Sequence, residues 1–234
     1  MAYEHLAFHY DALMRSLDYG AYADYLLALA GNPRRVLDLA CGTGRLAAEL
    51  CKRGCDVVAV DASPEMLSVA QERDCGALFL MQDMTELDLY GTVEAVFCTL
   101  DALNYLTDPQ QLIQTFARVR LFLEPGGAFL FDLLTPEALA ARDGAVFMSD
   151  AENAYCIWCC AWEAPLCRQE VTLFSRQSGG LWKRHDETHT ERAYELRFLE
   201  EALKDAGFEE IRLYGMMKTD SFSKDDERVV FAAR

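Results

Sequence analysis

The run Val36-Leu37-Asp38-Leu39-Ala40-Cys41-Gly42-Thr43-Gly44-Arg45-Leu46 constrains the fold more than any other part of the chain. It is an apolar strand carrying an acid, then a glycine turn, then a helix start. Gly42 and Gly44 lack a Cβ, so the turn can take positive φ and a ligand can approach the bare backbone, where free N–H groups at the helix start face it. A glycine turn alone is a weak signal. A second strand, Asp56-Val57-Val58-Ala59-Val60, ends in Asp61, at roughly the 20-residue distance by which one βαβ unit brings an acid to a ribose. Two strand-end acids then frame one crevice.

The rest of the chain continues the alternation. Leu6, Tyr10, Leu13 and Leu17 fall at helical spacing before Gly20, and residues 22–30 form a second helix before Gly31-Asn32-Pro33; together they make a lid or a brace. Residues 46–53 are helical up to Gly54, and Ser63-Pro64-Glu65-Met66 starts another helix, with Ser63 as cap and Pro64 at the first helical position. Residues 77–82 and 92–99 read as the third and fourth strands. Asp108-Pro109 opens a helix reaching Leu123, and residues 128–134 form the fifth strand after Pro125-Gly126-Gly127. Strands alternating with helices imply a parallel sheet that binds ligands at its carboxyl ends. After Thr135-Pro136 the pattern changes. Strand-like stretches at 154–163, 167–177 and 181–193 predict an antiparallel meander capping the crevice, before a helix at 195–206 and strands at 210–216 and 228–233 return to the sheet. Residues 1–134 and 195–234 thus form the ligand-binding domain, and residues 135–194 form an insert.

With 234 residues, 52% of them hydrophobic, the chain is long enough for one α/β domain and an appendage. Its net charge of −16 repels phosphate backbones, and its longest basic clusters, Lys183-Arg184 among them, are two residues long, so duplex DNA and RNA are poor substrates and a small molecule fits better. No apolar run approaches the roughly 20 residues of a membrane helix, and the start of the chain lacks a basic stretch followed by an apolar one. The expected location is cytoplasmic, with no membrane partner. The nine cysteines read as reduced thiols. Cys156 and Cys159 point to opposite faces of a strand and no second paired-cysteine motif follows, so no metal site is expected.

Asp38-Leu39-Ala40-Cys41-Gly42-Thr43-Gly44 closely resembles the first motif of the class I S-adenosylmethionine-dependent methyltransferases. Dinucleotide dehydrogenases usually keep glycine at the position of Ala40. The likeness extends to Asp61, to Gln82-Asp83-Met84 and to Phe129-Leu130-Phe131-Asp132, and so covers nearly the whole chain. The opening Phe8-His9-Tyr10-Asp11 and the insert are similar to a bacterial subgroup acting on small molecules. The resemblance implies a doubly wound, mostly parallel, Rossmann-like sheet of seven strands in the order 3-2-1-4-5-7-6, with strand 7 antiparallel. It implies S-adenosylmethionine as cofactor. The segments Asn-Pro-Pro-Tyr and Pro-Cys, common in DNA methyltransferases, do not occur.

On this reading the Asp61 carboxylate accepts both ribose hydroxyls, with a turn or cap acid as the alternative. Asp83 takes the adenine amine, with a solvated turn acid as the alternative, while Met84 offers a backbone N–H and a side chain for the ring face. Asp38 orients the methionyl ammonium or a water. Ala40, Gly42 and Gly44 give backbone contacts, with a purely structural glycine turn as the alternative; Ala62 and Met66 join the cofactor set, and Thr99 or Leu100 borders the adenosine. Tyr10 closes over the methionyl part, or is a core aromatic. On the acceptor side, Asp101 and Asn104, with neighbouring Tyr105, hold or deprotonate the substrate, unless the first two merely cap turns. His185 or His189 is the candidate general base, with a surface or packed histidine as the alternative, set among insert aromatics including Tyr155, Trp158, Trp162, Phe174 and Trp182, most of which serve packing. The expected reaction is in-line methyl transfer to a nitrogen or oxygen of a small molecule. An RNA or protein methyltransferase and a non-catalytic cofactor sensor are the alternatives, and a homodimer stays open.

Overall fold

Val36, Leu37 and Leu39 of β1 (Arg35–Leu39) are wholly buried, because β1 is an interior strand of a sheet covered by helices on both faces. The computed structural model describes residues 3–15 and 17–234. Before β1 come α1 (Ala7–Leu13) and α2 (Tyr19–Ala30); after it follow α3 (Arg45–Lys52), β2 (Asp56–Asp61), α4 (Pro64–Gln71) and β3 (Leu78–Met81). Next come β4 (Val93–Cys98), a 3-10 turn (Ala102–Tyr105), α5 (Pro109–Phe122), β5 (Leu123–Leu134) and α6 (Pro136–Ala140). The insert strands are β6 (Val146–Ala151), β7 (Ala154–Glu163), β8 (Leu166–Arg176) and β9 (Trp182–Arg192); α7 (Leu196–Asp205), β10 (Ile211–Gly215) and β11 (Arg228–Ala233) complete the chain.

The main sheet has the order β10-β11-β5-β4-β1-β2-β3. β11 runs antiparallel to both β5 and β10, and the other pairs are parallel. This is the expected seven-stranded order with its reversed last strand. The helices start where the sequence puts caps: the Ser63 hydroxyl accepts the Met66 N–H at 3.1 Å, Asp108 caps α5, and Pro64 and Pro109 occupy first-turn positions. One face of the sheet buries an aromatic block in which the Phe129 and Phe131 rings lie 4.7 Å apart and Phe131 stacks on Phe231 at 4.8 Å. The other face packs α2 and α3 through Tyr22, Leu26, Leu46 and Leu50.

The insert is a four-stranded antiparallel sheet, β6-β7-β8-β9, one strand more than the sequence suggests. β6 carries no alternation: Val146, Phe147 and Met148 are all exposed on the sheet edge. On β7 to β9 alternate residues turn inward, among them Cys156, Trp158, Gln169, Val171, Glu187, His189 and Glu191, while Cys159 faces out. The apolar part of this inner face packs on Leu6 and Leu13 around α1. The N-terminal segment therefore lies under the insert, and no helix among the described residues is long and apolar enough to cross a membrane.

Candidate active site

A cavity of about 410 Å³ opens at the carboxyl ends of β1, β2, β3 and β4 and is bordered by Tyr3, Tyr10 and Tyr19 from the N-terminal segment. That size suits a nucleoside cofactor with a modest partner. Asp38, Ala40, Gly42, Asp61, Ala62, Met66, Asp83, Met84, Thr99 and Leu100 all line it, as does Tyr10. Gly44 does not: it caps α3 in the left-handed region, and a Cβ there would stand 3.0 Å from the Ala70 Cβ and 3.1 Å from the Phe79 ring. There the turn packs closely against α4 and β3.

The turn is held by the acid of the neighbouring strand. The Gly42 N–H donates to Asp61 Oδ2 at 2.7 Å and the Ser63 N–H to Asp61 Oδ1 at 2.9 Å. A carboxylate has about four lone-pair sites, so each oxygen keeps one for a ligand. Burial pushes the Asp61 carboxyl up, against the pull of the backbone N–H groups. Asp38 is buried beside it, and its Oδ2 has no hydrogen-bond partner among the described residues. Burial and the nearby Asp61 charge push Asp38 up to about 7. A buried acceptor lacking a donor, next to a turn of bare backbone, fits a ligand carrying an ammonium group, as S-adenosylmethionine does. At the rim, Asp83 Oδ1 accepts the Thr85 N–H at 2.8 Å and the Thr85 hydroxyl at 2.7 Å, which fixes the carboxylate.

The strand tips are left-handed at non-glycine residues: Ala40 has φ 60°, Leu100 59° and Asp101 58°. Such backbone persists only where its surroundings impose it. At Leu100 and Asp101 the imposing group is Asp132, fully buried at the end of β5. Its Oδ1 accepts the Leu100 N–H at 2.7 Å and the Tyr22 hydroxyl at 2.9 Å, and its Oδ2 accepts the Asp101 N–H at 3.1 Å and pairs with Arg228. Asp101 also pairs with Arg228, at 3.2 Å, and its side chain lies outside the cavity lining.

Asn104 and His185, expected on the acceptor side, are placed elsewhere. The Asn104 side chain is fully buried; its Nδ2 donates to the Arg192 carbonyl at 2.8 Å and its Oδ1 accepts the Leu134 N–H at 3.0 Å, so it ties the 3-10 turn to β5 and β9. His185 shares the inward face of β9 but lies four residues beyond His189, about 13 Å along the strand, where its ring packs 3.9 Å from that of His5. His189, the other histidine considered, is the one drawn in. Its Nδ1 lies 3.0 Å from the Tyr105 hydroxyl, which is 2.7 Å from the Tyr3 hydroxyl, and its Nε2 lies 3.2 Å from Glu187 Oε2. Tyr3 and Tyr105 line the cavity; Trp158 and the other insert aromatics do not. The sequence reading does not single out Tyr3, Glu187 or Glu191, although Glu187-Thr188-His189-Thr190-Glu191 on a strand places its three ionisable residues on one face.

Residues 36–127 match the family described as a methyltransferase domain. Over its full length the chain is 33% identical to YqeM of Bacillus subtilis (strain 168), a provisionally named methyltransferase, and covers 97% of it. The crystal structure of an S-adenosylmethionine-dependent methyltransferase from Clostridium acetobutylicum ATCC 824 superposes with a TM-score of 0.88 at 30% identity, covering 100% of this chain and 99% of that one. The sugar N-methyltransferase KedS8 from Streptoalloteichus sp ATCC 53650 shares the fold at a TM-score of 0.78 and 22% identity, with 97% and 91% covered. With the glycine turn, the paired strand-end acids and the reversed last strand all in place, the chain belongs to the class I S-adenosylmethionine-dependent methyltransferases.

Proposed function

We propose that this enzyme moves the methyl group of S-adenosylmethionine onto a nitrogen or oxygen of a small molecule. The observation that carries this reading is the tyrosine-bordered cavity of about 410 Å³, walled by the N-terminal segment above the strand tips, which suits a metabolite better than a polymer. The net charge of −16 favours a substrate other than nucleic acid. KedS8, named for a sugar, supports the same class. The cofactor supplies an electrophilic methyl on a sulfonium. Asp61 would hold the ribose hydroxyls with its remaining lone pairs, Asp83 and Met84 the adenine, and Asp38 the methionyl ammonium. Tyr10, which borders the cavity, would help to exclude water, and alignment of two reactants is worth about 7–11 kcal/mol in favourable cases. Asp101, paired with Arg228, would shape the left-handed turn beside the acceptor rather than take its proton.

Titration calorimetry with S-adenosylhomocysteine, followed by a screen of a metabolite extract with methyl-labelled cofactor, tests the proposal. Saturable binding and label in a small molecule are expected; label only in macromolecules would overturn the acceptor class. The Asp38 assignment makes a separate prediction. An ammonium binds the ionised carboxylate, so cofactor affinity should rise as pH passes upward through about 7. The cofactor-free fold should change the opposite way. A carboxyl raised in the folded state stabilises fully below its unfolded value, and that contribution is lost as pH rises through about 7. Asp38→Asn should flatten both slopes, read by calorimetry and thermal melts from pH 5.5 to 8.5, a range set by roughly 1.5 units either side of the folded value.

A further inference from the structure

We infer that Tyr3, Tyr105 and His189 form a directed proton path leading away from the cavity, with Glu187 fixing the imidazole in the tautomer that lets the path run outward; this rests on the methyl-transfer reading above. The direction follows from the bonding. Burial pushes the Glu187 carboxyl up, but His189 and the backbone N–H groups of His5 and Leu6 hold it down at about 2. It is therefore an ionised acceptor throughout the working range. Glu187 Oε1 takes those two N–H groups at 2.6 and 3.1 Å, while Oε2 takes the Tyr3 N–H at 2.9 Å and faces His189 Nε2 at 3.2 Å. Facing a carboxylate, Nε2 carries the proton, and in the neutral ring Nδ1 is then the acceptor.

The group placed to donate to Nδ1 is the Tyr105 hydroxyl at 3.0 Å, since a buried nitrogen facing no donor would be costly. With its proton committed there, the Tyr105 oxygen accepts the Tyr3 hydroxyl proton at 2.7 Å. The Tyr3 oxygen is left with lone pairs, and Tyr3 lines the cavity. Burial raises both phenols well above their ordinary value, so each passes a proton on and neither rests as a phenolate.

The step balances. As the acceptor nitrogen or oxygen bonds the methyl carbon, the S–C pair leaves on the thioether sulfur. The acceptor's proton moves to the Tyr3 oxygen, the Tyr3 proton to Tyr105, and the Tyr105 proton to His189 Nδ1. The resulting imidazolium sits against Glu187, as in carboxylate-backed imidazole bases elsewhere. The charged and titratable groups around it are Glu187 and Glu191 on β9, Asp101 and Tyr105 at the 3-10 turn, and Tyr3 and Tyr10 on the N-terminal segment, with Arg142 lying 3.9 Å from Glu191 and Arg228 3.2 Å from Asp101. Gln169 stands opposite His189 on β8.

The test is nitrogen NMR of histidine-labelled, full-length protein with S-adenosylhomocysteine as the probe ligand. Wild type should show His189 as the Nε2–H tautomer. Tyr105→Phe, which removes only a hydroxyl, should move Nδ1 toward the position of an unbonded acceptor while S-adenosylhomocysteine affinity stays within about twofold, a change of about 0.4 kcal/mol. The Nδ1–H tautomer, or an Nδ1 signal indifferent to Tyr105→Phe, would overturn the path. With an acceptor from the label screen, Tyr3→Phe and Tyr105→Phe should each lower kcat by at least about 10²-fold. Their rates should keep climbing with pH where wild type levels off. Cofactor affinity lost in proportion to turnover would make the tyrosines cofactor holders and overturn the path. A protein that binds no S-adenosylhomocysteine would instead refute methyl transfer, and the tautomer would still be readable.

Discussion

Asp132→Ala is expected to destabilise the fold by about 3–5 kcal/mol, the usual range when one partner of a buried charged pair is removed. The carboxylate is saturated: the Tyr22 hydroxyl, two backbone N–H groups and the Arg228 guanidinium share its two oxygens. Alanine leaves those donors buried, and each unsatisfied one costs roughly 1–3 kcal/mol before relaxation. Asp101 keeps its contact with Arg228 and limits the loss. Against a total stability of about 5–15 kcal/mol this is a large fraction, and for a chain of this size it corresponds to a fall of about 6–20 °C in Tm. Urea unfolding and calorimetry measure both. A change below about 1 kcal/mol would mean that other contacts impose the left-handed turn at Leu100 and Asp101.

Asp61→Ala is expected to act on binding instead. Losing two charge-assisted hydrogen bonds to a ribose, at roughly 1.5–3 kcal/mol each, would weaken cofactor affinity by about 10²–10⁴-fold. The fold should suffer less, because burial already disfavours the Asp61 charge and its removal relieves that cost. Gly42 and Ser63 lose their acceptor, so some binding loss will come from a looser turn. Asp61→Asn separates the contributions: its single acceptor oxygen can serve the turn or the sugar, and affinity should fall between the other two proteins. Unchanged affinity by calorimetry in Asp61→Ala would remove the ribose assignment.

The main sheet was legible because its signals are local. Two apolar strands ending in acids, prolines at first helical turns and glycines at turns each act within a few residues, and β11 begins and ends where its pattern does. β6 was not legible. An exposed edge strand needs no apolar alternation, and Val146-Phe147-Met148 shows none. The cofactor-side candidates rest on local backbone signals, and all of them line the cavity except Gly44, whose neighbours Ala70 and Phe79 come from other elements. The acceptor side depends on long-range partners. Asn104 reads as an available amide until the Arg192 and Leu134 backbones occupy it, and what separates His189 from His185 is its hydrogen bond with the Tyr105 hydroxyl of the 3-10 turn.

Because the insert meets the cavity chiefly through α1 and the residues just before it, where Glu187 accepts the backbone N–H groups of Tyr3, His5 and Leu6, the molecule separates what it must keep from what it can vary. The anchoring bonds go to main-chain atoms and ignore side-chain identity. New chemical tastes could thus evolve by exchanging side chains along residues 3–13, leaving the nucleoside grip of the older scaffold undisturbed.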